Sequence, residues 1–364
     1  MEAHGNTVCA ELYVALDAVG MLGEGCLEGV PGHFGVVAAG TAVGNDLHGP
    51  YGSLGGVADS SASRRRFHDP LPSVSDTALV FEGGAMRSAF SSAMVQALLE
   101  EGISFDWTYG NSASAVHVST YLSREPELAR DYFTVFPGDP LFGGIRPFLH
   151  GDGFFNAKYI FGPDARVEDR RMVPDWNAIR SNPGDFRISG FNGQTGETVH
   201  WSREDMHGLD DFLLHARASA SLPVLMPPTR IGGDAYFDGA FGPTGGIPVD
   251  AAREKEGFER FLVIMTRTRS YRKGPSRFTW AVKRMFPQYP ALIESMHDRH
   301  VRYNRTRDWI FEQERLGRAY IFAPHRMPLG NGTRKLNELA ETYEAGLAQA
   351  REEMPLIRRF LNLH

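Results

Sequence analysis

TALVFEGGAMRSAFSSAMVQALLEEGISFDWTYGNSAS, residues 77–114, is the stretch whose reading decides the fold. It parses as a strand, a glycine turn, an amphipathic helix, a second strand and a turn of small residues carrying Ser112. The run Ala78, Leu79, Val80, Phe81 contains no polar residue, as expected of a strand buried on both faces of a sheet. Gly83 and Gly84 permit a backbone bend that side chains resist. From Ser88 onward, Ala89, Phe90, Ala93, Met94, Ala97 and Leu98 recur at helical spacing, and Gly102 is positioned to stop that helix. Residues 107–109 begin a second apolar strand, which Gly110-Asn111-Ser112-Ala113-Ser114 ends. A serine between small residues at such a bend suits a nucleophile elbow: the chain turns sharply, the hydroxyl is presented, and the next helix packs closely on the sheet.

Downstream, helical patterns are expected over residues 115–123 and 127–136, followed by a loop rich in Gly, Pro and Phe over 137–153. Strands over 186–191 and 198–201 are joined by Asn192-Gly193-Gln194-Thr195-Gly196, a hairpin signal. Residues 210–219 read as helix. Residues 231–239 then form a second hairpin, in which Asp234 beside Gly232-Gly233 is explained by turn chemistry alone. Asp238 differs: it follows Tyr236-Phe237, precedes Gly239-Ala240, and so stands at a strand's end. Further on come a buried strand over 260–266, a long helix over 291–316, a final strand over 318–322 and a charged amphipathic helix over 335–361.

Three of these segments together resemble one family. EGGAMRSAF, GNSAS and, much later, YFDGAFG are similar to the glycine-rich oxyanion loop, the G-x-S-x-G elbow and the D-G-[GA] motif of the patatin-like phospholipases of bacterial type. ARASASLPVLMPP, just before YFDGAFG, also resembles the family's run in that place. Three separated motifs in the right order are far more specific than any one alone. The resemblance implies an α/β fold of three layers, a mostly parallel central sheet flanked by helices, with a helical C-terminal appendage. It implies a serine acyl hydrolase cleaving lipid esters through Ser112 and Asp238, without a cofactor. The amides of Gly83, Gly84, Ala85 and Met86 would then stabilise the oxyanion, with Arg87 bracing that loop or lying near the charge, or else simply solvated. Gly110 and Ser114 would shape the elbow.

The residue types fit that chemistry. A serine hydroxyl needs a neighbouring base, and an aspartate with an ordinary pKa near 3.9 is a weak one, so burial should raise it. Departures from the family pattern are Ala85 and Ser88 in the loop and Ser114 in the elbow, each standing where the pattern has glycine. Strain there would cost about 1 kcal/mol and reduce activity. A rival reading is therefore a lipid-binding or interaction protein that keeps the fold without turnover. Histidine offers no third member: His117 follows Ser112 by five residues on a helix and points away, and His200 and His215 stand in no base context. No metal-ligand spacing and no nucleotide-binding loop occurs.

Composition bounds the remainder. At 364 residues, 42% hydrophobic, the chain can bury one large core, and a formal net charge of −6 gives no basis for nucleic-acid binding. Two cysteines, Cys9 and Cys26, allow no disulfide framework, no apolar run spans a bilayer, and no secretory pattern opens the sequence, so a cytoplasmic site is expected. Three segments are expected: a glycine-rich, extended or disordered 1–76, a catalytic 77–266, and a mainly helical 267–364. Between Arg267 and Arg284 lie seven basic residues and no acidic one, interspersed with Phe278 and Trp280. Two readings stay open for this stretch, a peripheral contact with an anionic membrane surface and an ordinary helix burying its aromatics.

Overall fold

A computed structural model describes residues 73–363, apart from 145, 146, 149, 150, 152 and 278. Residues 1–72, including both cysteines and nearly all of the expected N-terminal segment, lie outside the described residues. The architecture is an eight-stranded sheet between two helical layers. In chain order its strands are β1 (Thr77–Phe81), β2 (Trp107–Asn111), β3 (Asp185–Asn192), β4 (Thr198–Trp201), β5 (Thr229–Ile231), β6 (Asp234–Asp238), β7 (Arg260–Ile264) and β8 (Ala319–Phe322). The spatial order is β8-β7-β1-β2-β3-β6-β5, with β4 also paired to β3. Pairing is parallel from β8 through β3 and antiparallel for β3–β4, β3–β6 and β6–β5. The sheet is thus mixed, parallel across its centre and antiparallel at one end.

Alternation of side chains along these strands sets the layers. Ala78 and Val80, Trp107 and Tyr109, Phe261 and Val263, and Ala319 and Ile321 face one way. They pack with Tyr303 and Ile310 of α6 (Pro290–Arg315). The opposite face receives α1 (Ser88–Glu100), α2 (Ser114–Leu122), α3 (Pro126–Thr134) and α7 (Leu336–Phe360). There Phe90 of α1 stacks on Phe322 of β8, with ring centroids 4.9 Å apart. Leu79, Val80, Leu262 and Ile264 are wholly buried, each contributing about 2 kcal/mol or more to the core. The helix α4 (Leu209–Ser219) covers β3, β5 and β6.

The C-terminal region is built into this core. It supplies the edge strand β8, the helix α6 on one face and α7 on the other. A polar tie reinforces the join: Tyr303 of α6 donates its hydroxyl to Glu82 Oε1 at 2.5 Å, and the amide of Thr266 donates to Glu82 Oε2 at 2.6 Å. Glu82 is 2% exposed, so each donor offsets a desolvation cost that would otherwise be unmet. Replacing Tyr303 by Phe is expected to lower the unfolding free energy by about 1–3 kcal/mol, the cost of an unmet acceptor, measurable by urea denaturation.

Candidate active site

The site is built by two strands that end against one edge of β3. On that edge, Asn111 of β2 pairs with Ser189 and Asp238 of β6 pairs with Gly190. The other edge is occupied over residues 188–191 by β4, which leaves β6 only the edge β2 already uses. β2 runs parallel to β3 and β6 antiparallel, so their C-terminal ends converge at adjacent registers. Residue 112 follows one end, residue 238 closes the other, and the two side chains meet. Ser112 Oγ donates to Asp238 Oδ2 at 2.6 Å.

Ser112 adopts φ +57°, a left-handed conformation that costs a non-glycine residue energy and marks the sharp bend between β2 and α2. Its amide donates to Ser219 Oγ at 2.9 Å, at the end of α4. Gly110 lies so close beneath α2 that an added Cβ would stand 2.5 Å from Ser114 O. Ser114 itself is helical, and its hydroxyl donates to Glu82 O at 2.7 Å, tying the elbow to the end of β1. Glycine is therefore not required at 114, and Ser88 is likewise helical, with φ −64°. Of the three departures from the family pattern, Ala85 alone takes a glycine-like conformation, φ +46°.

The glycine turn lies directly over the elbow, since a Cβ on Gly83 would stand 2.9 Å from Ser112 Cβ. Its amides are not equivalent. Gly83 N donates to Gly246 O at 3.2 Å, Met86 N to Asn331 O at 3.3 Å and Arg87 N to Gly84 O at 3.1 Å. Among the described residues the amides of Gly84 and Ala85 have no acceptor. The expected set of Gly83, Gly84, Ala85 and Met86 as free donors thus narrows to the middle two. Arg87 is buried, and its guanidinium donates to Asn331 Oδ1, which makes it a brace of the loop rather than a solvated side chain. Burial lowers its pKa to about 10.

Asp238 is 2% exposed, and its Oδ1 accepts the amide of Ala240 at 2.8 Å. Its own amide donates to Ser221 O at 3.0 Å. Burial pushes the carboxyl above its ordinary range, against the downward pull of Arg299, the Ser112 hydroxyl, the Ala240 amide and Lys273. His117 is buried and bonded to Ser91 Oγ through Nε2, and burial lowers its pKa to about 3. His200 meets the Tyr109 hydroxyl, and His215 meets Asp211 O. None of the three bonds Ser112 or Asp238.

Above Ser112 opens a partly enclosed apolar cavity. Its walls are Met86, Val116, Phe133, Phe142, Phe155, Leu225 and similar residues, and Ser112 is nearly its only polar lining group. Among the described residues no three His, Cys, Asp or Glu side chains converge to hold a metal. Sequence reading did not find Ser219, Ser221, Gly246 or Asn331. The one available signal was the small polar run around Ser219 and Ser221, which supplies contacts to both Ser112 and Asp238.

A serine on a strand-to-helix bend at the end of a buried strand, paired with a buried carboxylate beneath an apolar cavity, defines the class of α/β hydrolytic enzymes. Residues 79–253 match the family model described as Patatin-like phospholipase. Residues 79–253 of the chain thus form a patatin-like phospholipase domain. Residues 289–362 match a second family model, described as a domain of unknown function, DUF6363. No curated protein matches the chain. Among solved structures, that of VipD from Legionella pneumophila is similar at 12% identity and a TM-score of 0.41, covering 79% of this chain and 67% of that one.

The raised carboxyl of Asp238 has a consequence for stability. The native state holds this proton more tightly than the unfolded chain, so ionising it on folding costs free energy. That deficit is absent below the ordinary value near 3.8 and complete above the raised native value. Asp238→Asn is therefore expected to melt no lower than the wild type at pH 7, with its relative advantage shrinking as pH falls towards 4, as read by thermal denaturation across pH.

Proposed function

We propose that the chain is a serine acyl hydrolase acting on carboxylic esters of lipids, with Ser112 as nucleophile and Asp238 as base. The 2.6 Å hydrogen bond between them at the floor of an apolar cavity carries this reading. As Ser112 Oγ attacks the ester carbonyl, its proton passes to Asp238 Oδ2, whose raised pKa makes it a better base than an exposed aspartate. The carbonyl oxygen becomes an oxyanion, and the unengaged amides of Gly84 and Ala85 are the donors available to it. Losing one such donor costs about 3 kcal/mol. Collapse expels the alcohol, which takes the proton from Asp238. Water then attacks the acyl-serine carbonyl, giving its proton to the same carboxylate, and collapse releases the acid while Asp238 returns that proton to Ser112 Oγ. The cavity's aliphatic and aromatic lining suits an acyl chain, whose burial contributes about 0.8 kcal/mol per methylene.

Peripheral contact with a membrane belongs to the same proposal. Arg269 pairs with Glu314 and Arg272 with Asp308, while Arg267 stacks on Tyr271. Attraction to an anionic surface is thus left mainly to exposed Arg277 and Lys283, beside Trp280, which is 57% exposed on α5 (Thr279–Met285). Among the described residues no helix is long and apolar enough to cross a membrane.

A second reading, the fold without turnover, is favoured by one observation, the left-handed φ of Ala85 in the oxyanion loop. Two experiments separate the readings. A fluorophosphonate probe is expected to label the folded protein, with labelling lost in Ser112→Ala; failure of the wild type to label would overturn the hydrolase reading. Ala85→Gly should raise the unfolding free energy by about 0.5–1 kcal/mol by relieving the positive φ and keep the labelling. Labelling that appears only in Ala85→Gly would instead support the silent fold.

A further inference from the structure

The connection from β8 to α7 includes residues 329–335, which grip two walls of the apolar cavity from outside it. Arg334 is half-buried and donates to three backbone carbonyls of a single turn, residues 137–143. Its Nε reaches Pro137 O at 3.0 Å, its Nη2 reaches Asp139 O at 3.0 Å, and its Nη1 reaches Gly143 O. A planar guanidinium presents its donors in a rigid fork, so it holds the three carbonyls in one arrangement. The one acid of that turn is used elsewhere: the Asp139 carboxylate accepts the Leu141 amide and the Tyr159 hydroxyl. Within the turn lies Phe142, whose ring centroid is 5.8 Å from the guanidinium carbon. Phe142 packs edge-on against Phe136 and Phe155, with centroids 5.0 and 5.7 Å away, and together with Phe155 it walls the cavity. The far end of the turn is tied independently, with Asn156 N donating to Phe142 O at 2.9 Å and Gly144 N to Phe154 O at 2.7 Å. Loss of Arg334 would therefore loosen the turn without detaching it. Three residues before Arg334, Asn331 accepts the Met86 amide and the Arg87 side chain, and Met86 lines the same cavity. The Gly330 amide donates to Thr333 Oγ1 at 2.9 Å, which stiffens the chain between the two grips.

We infer that Arg334 is a positioning residue for the acyl cavity: it fixes the place of the Phe142 wall and, through it, a preference for longer acyl chains. Arg334 does not itself line the cavity, so its action passes through Phe142. Packing contacts are individually small and act only on atoms that reach the wall. A long acyl chain reaches it, whereas a short acyl group held at Ser112 does not. Both Asn331 and Arg334 fall within residues 289–362, which gives the segment of unknown function a part in substrate choice. The inference rests on the reading of Ser112 as nucleophile, because that reading puts the acyl chain in the cavity.

Turnover of p-nitrophenyl octanoate and p-nitrophenyl acetate by the full-length chain tests it, with both esters kept below the concentration at which they aggregate. The wild type is expected to show the higher kcat/KM for the octanoate. Arg334→Met should lower kcat/KM for the octanoate at least tenfold more than for the acetate, mainly through KM, as loss of packing against about two methylenes would. Arg334→Lys can still donate to carbonyls and should keep more of the preference than Arg334→Met. Equal losses for the two esters would make Arg334 a merely structural support and overturn the inference. An unchanged ratio, a change confined to kcat, or a wild type without preference for the octanoate would overturn it too. A binding measurement needs no turnover. By calorimetry, the full-length Ser112→Ala protein should bind p-nitrophenyl octanoate at least tenfold tighter than the same protein with Arg334→Met added, and equal affinities would overturn the inference. Failure of the wild type to take a fluorophosphonate label counts against the hydrolase reading alone, because the binding comparison still judges Arg334.

Discussion

Two strand ends meeting on one edge of β3 is the constraint on which the rest depends. β2 reaches Ser189 from one direction and β6 reaches Gly190 from the other, so a serine and an aspartate 126 residues apart become hydrogen-bonded neighbours. A slip of one residue in either pairing would turn Ser112 or Asp238 to the other face of the sheet. The register is held at several points beyond the ladder. Ser219 Oγ receives the amide of Ser112, and Ser221 O receives that of Asp238. The loop after α4 therefore grips both members of the pair at once.

Burial gives the pair its chemical character. Asp238 is held away from water by the same packing that encloses the apolar cavity, and loss of hydration raises its carboxyl pKa despite two nearby cations. Glu82 is buried nearby and is managed differently, with one oxygen receiving the Tyr303 hydroxyl and the other the Thr266 amide. One buried carboxylate thus stabilises the join between sheet and C-terminal helix, while the other accepts the hydrogen bond of the Ser112 hydroxyl. The glycine turn shows a similar division, its outer amides tied to the scaffold and its central two left without an acceptor.

The C-terminal third matters to the site as well as to the core. Thr266, Arg299, Tyr303 and Asn331 contact the glycine turn, its neighbour Glu82 or the loop after Asp238. None lies within the matched segment 79–253. Asn331 accepts from both the Arg87 side chain and the Met86 backbone, so the geometry of the glycine turn is set in part from residues far along the chain.

Local sequence determined a good deal here. Uninterrupted apolar runs identified β1 and β7, because a strand covered on both faces has no polar position to show. Helical spacing identified α1, α6 and α7, and the small residues around Ser112 marked a bend that larger ones would block. The order of three motifs points to Ser112 and Asp238 without any contact between them. Tertiary structure alone decided which amides of the glycine turn remain unengaged, that Arg87 is a buried brace, and that Ser88 and Ser114 need no glycine while Ala85 bears a positive φ. It also gathered Lys273, Arg299 and Asn331 around one cavity. The physical reason is separation along the chain. Periodicity and turn chemistry act over a few residues and leave a readable pattern, whereas hydrogen-bond partners and shared electrostatic surroundings arise only when segments a hundred or more residues apart are packed against one sheet.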